Sequence, residues 1–113
     1  MATTYKVLGQ INPTLNTLTN VYVVPSYYNA VISTVAICNQ AAANTRFSLS
    51  VQPRGNTIAT KHFIVYDANL PANDTIPYTI GITLGPGDVL SANTYSSNVS
   101  ITAFGMQADS ISP

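Results

Sequence analysis

The sequence predicts an all-β fold: a single β-sandwich of seven to eight short antiparallel strands, immunoglobulin-like or jelly-roll. Three observations predict it. β-Branched and aromatic runs recur about every 8–15 residues with turn formers between them, the spacing of short sandwich strands. No stretch places apolar residues at helical spacing. Two segments alternate with period two: Phe47, Leu49 and Val51 against Arg46, Ser48, Ser50 and Gln52, and Ile76, Tyr78, Ile80, Ile82 and Leu84 against Pro77, Thr79, Gly81 and Thr83. That period puts one face of each strand in a core and the other outside.

Taken in order, Met1–Thr4 is a polar start expected to be loose. Tyr5–Gln10 is a short strand with Gly9 near its end, followed by a turn-rich link in which Asn12-Pro13 favours turn initiation. Leu18–Val24 is a strand stopped by Pro25, which cannot extend a ladder. Ser26–Asn29 is a loop with two adjacent aromatics, Tyr27 and Tyr28. Neighbours on an extended backbone point to opposite sides, so at most one of the pair is expected in the core, and the other is a contact candidate.

The middle of the chain holds three runs, Ala30–Asn39, Arg46–Pro53 and Lys61–Asp67, each closed by turn formers. They are expected to lie together as half of the sandwich. The first is apolar on both sides and suits a central strand. Asp67–Pro71 and Ala68–Asp74 read as turns, and Thr75–Leu84 as one strand whose start, with Pro77, lies on an edge. Gly85-Pro86-Gly87-Asp88 is a turn, Val89–Ala92 and Val99–Phe104 close the fold, and Met106–Pro113 is expected to fray. The expected core is Val31, Val35, Ile37, Phe47, Leu49, Val51, Ile80, Ile82 and Ile101. One domain thus spans 1–113, with 1–4 and 106–113 as loose tails; a chain of 113 residues can bury a real core without staples.

Charge is the unusual property. Only 7% of the residues are charged and four cations balance four anions, against about 25% charged in ordinary domains. A surface this weakly charged has little protection against self-association, so a homo-oligomer is expected. Four scattered cations cannot neutralise a phosphate track, which excludes nucleic acid as a partner. No long apolar run signals a membrane span. The lone Cys38 cannot form an intrachain disulfide; in an apolar run it reads as a small buried hydrophobe. With no secretory signal in the sequence, synthesis in a reducing cytoplasm is expected.

No catalytic constellation is visible, and the chain is not expected to be an enzyme. His62 is the only histidine, and Asp67, five residues on, falls on the opposite face of an unbroken strand. No serine sits in a Gly-x-Ser-x-Gly elbow. One cysteine and one histidine do not make a zinc site. Asp67, Asp74 and Asp88 all occupy turns, where Asx-type turn formation explains each without calcium. No metal and no cofactor are therefore expected. Sugar binding is the binding-module alternative, because Tyr27, Tyr28 and Tyr95 lie in predicted loops and aromatic faces stack on sugar rings. Against it, the chain has no tryptophan, and tyrosines at strand ends commonly pack. Asn73 and Asn98 match the glycosylation pattern and read as turn asparagines.

Leu8-Gly9-Gln10, Ala30–Asn39, Lys61–Asp67, Ala72–Thr75 with Gly81–Leu84, and Val99–Gly105 together resemble a family of small proteins of tailed bacteriophages, cyanophages included. The likeness runs from about Tyr5 to Gly105 and rests on strand and turn patterns rather than on catalytic signatures. It implies a virion structural protein made in the host cytoplasm: a capsid decoration or cement protein contacting the major capsid protein or another virion protein, or else a tail, neck, baseplate or fibre component. A homotrimer is expected by analogy with capsid cement proteins. The resemblance transfers no functional residues. Tyr27 and Tyr28 are the candidate interface residues on chemical grounds, since tyrosine buries a large area and keeps a hydroxyl for the rim. A flat, extended contact surface would favour the structural role; a row of exposed aromatics with a pocket would favour sugar binding.

Overall fold

The computed structural model describes residues 3–96 and 98–109, through which run β1 (Thr3–Ile11), β2 (Thr19–Val23), β3 (Tyr28–Asn39), β4 (Thr45–Gln52), β5 (Phe63–Leu70), β6 (Thr75–Tyr78), β7 (Ile82–Leu84), β8 (Val89–Thr94) and β9 (Val99–Asp109). Every paired strand is antiparallel. The first sheet has the order β1-β9-β3-β6, with β7 also pairing β3; the second has the order β2-β8-β4-β5. With β6 and β7 counted as one interrupted strand, eight strands pass back and forth between the two sheets, which is the jelly-roll course. The expected β-sandwich is present, and the strand order decides between the two arrangements left open by the sequence. Pro77 does lie on an edge strand, as its missing amide requires.

The three central runs do not share a sheet. β3 belongs to the first, β4 and β5 to the second. Asn39, 1% exposed, makes the crossing possible. Its side-chain amide donates to the carbonyls of Ala43 (2.9 Å), Leu70 (3.3 Å) and Pro71 (3.1 Å), and its Oδ1 accepts from Ala41 N–H at 3.0 Å. A buried amide thus satisfies the backbone of a corner that neither sheet can pair. Asn39→Ala is expected to lower unfolding free energy by about 2–3 kcal/mol, because it leaves buried carbonyls without donors; urea denaturation measures it.

Buried side chains from both sheets fill the interior, among them Val35, Ile37, Phe47, Leu49, Ile82 and Ile101, as expected. Val51 packs on the core from its rim and is only half-buried. Val31 and Ile80 depart further, for one reason. β1 inserts Leu8 and β3 inserts Ser33 on either side of Phe104 of β9, where the register slips between Val7 and Gly9 and between Ile32 and Thr34. Such a bulge shifts the side-chain alternation by one residue. β3 therefore points Ala30 and Ile32 inward before the bulge and Val35, Ile37 and Asn39 after it, which leaves Val31 on the outer face, half-buried. The same bulge divides the strand expected over 75–84. β6 pairs with Val35–Cys38 and β7 with Ala30–Ile32. The residues between them leave the ladder, Gly81 turns with φ +62°, and Ile80 is 53% exposed.

The ends also differ from expectation. Thr3 and Thr4 belong to β1, and Met106–Asp109 belong to β9, whose end pairs with both β1 and β3; Met1, Ala2 and residues 110–113 lie outside the described residues. Asp67 does not end its strand: it sits within β5 at φ +52°, where Ser48 Oγ accepts its N–H at 2.9 Å and Arg46 pairs with its carboxylate at 2.7 Å. Tyr22 on β2 donates its hydroxyl across the sandwich to Gln107 Oε1 at 2.6 Å. Burial pushes that phenol above its ordinary value of 10.0. The neutral form is therefore favoured in the folded state. Its contribution is present below about pH 10 and is lost as pH rises through the folded-state value. Tyr22→Phe is expected to reduce the alkaline loss of stability seen in melts taken on either side of pH 10.

Part of the outer face of the second sheet is covered by the chain itself. Ser48, Ser50, Gln52 and Ser91 are buried although the alternation turns them away from the core. Residues 53–62 fold over them: Gln52 Nε2 donates to Asn56 O at 2.8 Å, Gly55 sits over Val89, and the turn Thr60–His62 packs on β4. Under this cover Ser91 Oγ donates to Gln52 Oε1 at 2.8 Å.

Candidate functional site

Tyr27, on the β2–β3 connection, and Tyr28, the first residue of β3, stand at one tip of the sandwich, so the loop expected over 26–29 ends at Tyr27. Neither is in the core: Tyr27 is 68% exposed and Tyr28 36%. Tyr27 adopts φ +69°, the left-handed region that a bulky residue seldom enters, and Tyr28 N–H closes the turn onto Pro25 O at 3.2 Å. Asp88 builds this tip. Its Oδ1 accepts Arg54 N–H at 2.9 Å and its Oδ2 accepts Gly85 N–H at 2.8 Å, while its carbonyl accepts Val24 N–H at 3.0 Å. Three loops are thereby fixed beneath the tyrosines, and a held backbone makes an exposed aromatic a better anchor because less freedom is lost on contact.

The other residues singled out in the sequence do not converge. Tyr95, 53% exposed, lies beyond β8 at the opposite tip. β9 separates it from Tyr28, which pairs with Asp109, by about 30 Å. The loop tyrosines therefore form no row. Asp74 caps its own turn through Thr75 N–H at 2.8 Å, at the tip opposite Asp88, and Asp67 is engaged with Arg46 on the side. Among the described residues no three His, Cys, Asp or Glu side chains gather as a metal site would require. His62 is not on a strand but in the turn before β5; it is buried, with Nδ1 accepting Ala59 N–H at 3.0 Å. That bond ties the ring's Nδ1 to the backbone of its own turn. Cys38 is half-buried on the outer side of β3, in register with Ser100 and Thr75.

Two surface features went unread in the sequence. One is an aromatic cleft of about 330 Å³ lined by Thr60, Phe63 and Tyr66, in which Phe63 and Tyr66 meet edge to face at 5.1 Å and Tyr66 is 73% exposed. The other is the outer face of the first sheet. Register places Tyr5, Met106 and Val31 in one row across β1, β9 and β3, with Val7 and Phe104 in the next. Tyr5 is 81% exposed, and Val7 and Phe104 are 46% and 40% exposed. The signal was present, since Phe104 and Met106 fall in the phase opposite to the buried Ile101 and Ala103, but only the strand order shows that the rows join.

Strand order and register define a small jelly-roll domain. No family model matches the chain, and no curated protein sequence matches it. Two solved structures are similar to it at a coarse level, each described as a pentameric capsid protein isolated from metagenomic phage sequences. Both are 19% identical over 93% of this chain; the matches cover 67% and 72% of the other chains, with TM-scores of 0.41 and 0.40.

Proposed function

We propose that the chain is a non-enzymatic structural protein of a bacteriophage virion, a decoration or cement protein that stabilises the head by surface contact with the major capsid protein. The observation that carries this reading is a tightly cornered jelly roll with almost no charge and an apolar patch on one outer sheet face. The jelly roll is a frequent architecture of viral capsid and lectin domains, an association of fold with role rather than a demonstration. The phage resemblance in the sequence points the same way. A rigid sandwich loses little conformational entropy on docking, and many copies on one lattice add weak contacts into firm attachment.

Tyr27 and Tyr28 are the proposed anchors to the capsid. The double variant Tyr27→Ala, Tyr28→Ala is expected to fold normally, since both side chains lie outside the core, and to leave heads undecorated and more easily disrupted by heat or low salt. Heads decorated to the wild-type level by this variant would remove the tyrosines from the contact. Protein found on tails or fibres and missing from heads would move the role to the tail alternative.

The Phe63–Tyr66 cleft favours one second reading, a sugar-binding module, because an exposed aromatic with hydroxyl neighbours can stack a sugar ring. Saturable binding in a glycan array, lost in Tyr66→Ala, is the result that reading requires.

A further inference from the structure

We propose that the outer face of the first sheet is a self-association surface, on which a second copy of this chain docks sheet against sheet about a two-fold axis. The two sheets are treated differently by their own chain. Residues 53–62 pack over part of the second sheet's outer face, where Ser50 and Ser91 are fully buried, and tie themselves down through Gln52 and His62. No described segment packs over the first sheet's outer face, where Tyr5, Val7, Val31, Phe104 and Met106 adjoin. Contiguous exposed apolar side chains of this extent mark contact sites on soluble domains.

Charge and area specify the occupant. The outward positions of β1, β9, β3 and β6 in register are Thr, Tyr, Val, Gln, Ser, Phe, Met, Asn, Ala, Cys and Pro, with no charged side chain among them. A charged partner would lose its hydration here and gain no counter-charge. The same face on another copy is equally uncharged, and a two-fold contact uses one patch twice. The 36 residues of β1, β9, β3 and β6, at about 3.4 Å rise and about 4.8 Å between strands, present about 600 Å², approaching the roughly 800 Å² that each partner contributes to a stable interface. The face also offers shape. A cleft of about 200 Å³ lies among Tyr5, Val31, Ser33, Gly105 and Met106, one row from Phe104. An axis passing between the two rows sets each copy's Phe104 against the other's cleft. The proposed contact is two-fold, where the analogy with cement proteins led to the expectation of a trimer.

The proposal deepens the self-association within the virion role and rests on that role for the many copies brought together. Sedimentation velocity of the full chain from micromolar to millimolar concentration tests it, with circular dichroism confirming the fold of every variant. The wild type is expected to form a dimer. Phe104→Lys should weaken the dimer by about 30- to 100-fold in Kd, the loss typical of a central aromatic anchor. Tyr5→Thr, at a position too exposed to affect folding, should weaken it as well, and Tyr27→Ser with Tyr28→Ser should leave it intact. A wild-type chain that stays monomeric at millimolar concentration, or a dimer indifferent to both Phe104→Lys and Tyr5→Thr, overturns the proposal. Absence of the protein from purified particles would instead overturn the virion role while leaving the dimer in place.

Discussion

Gly105→Ala is expected to cost about 3 kcal/mol or more of unfolding free energy, although it adds a single methyl group. A Cβ at this position would collide with the carbonyl oxygen of Val31 and stand 2.9 Å from Ile32 Cα. Both are backbone atoms of the neighbouring strand, so no side-chain rotation can relieve the clash. β9 would have to separate from β3 beside the bulge at Ser33, along the longest pairing of the first sheet. Domains of this kind are stable by only about 5–15 kcal/mol, so the loss is large. Gly85→Ala is the control: its nearest new neighbour would be the Asp88 carboxylate at 3.7 Å, and little change is expected. Paired urea titrations of the two variants measure the difference.

Phe47→Ala is expected to cost about 3–5 kcal/mol, the range for removing a fully buried phenylalanine. Phe47 is 0% exposed and stacks edge to face on Tyr78, with ring centroids 5.8 Å apart. It belongs to β4 and Tyr78 to β6, so this contact joins the two sheets. Phe47→Leu keeps most of the volume and should recover a large part of the loss. A Phe47→Ala protein that melts like the wild type would show that the sheets are not held together by this interior.

The fold class was legible because period-two patterning survives wherever a strand pairs without interruption. β4 is the clear case: Phe47 and Leu49 are core as the alternation requires. What the pattern could not reveal was a change of phase. Ser33 is an ordinary residue in a β-rich run, yet as a bulge it turns Val31 outward and opens the gap into which Ile80 escapes. Nor does alternation say what lies over an outer face. Ser48, Ser50 and Gln52 read as solvent-facing, yet all three are buried, Gln52 beneath residues 53–62 and Ser48 against Asp67 of β5.

The site was legible only in part. Tyr27 and Tyr28 are recognisable as a loop pair from Pro25 and from their adjacency, although the expectation that one could enter the core took no account of the left-handed turn at Tyr27. The apolar face is spread over β1, β3 and β9, three segments distant in sequence. Tyr5 and Phe104 become neighbours in one patch only after the jelly-roll order brings their strands together. Likewise, Met106 reads as part of a polar tail until β1 and β3 are seen to flank it.

Electron cryomicroscopy of purified phage particles carrying this protein tests the virion role most directly. The account predicts small two-sheet domains bound at regular positions on the head surface, with the tip bearing Tyr27 and Tyr28 against the capsid. Heads with no such density, from particles in which mass spectrometry also finds none of the protein, would contradict it.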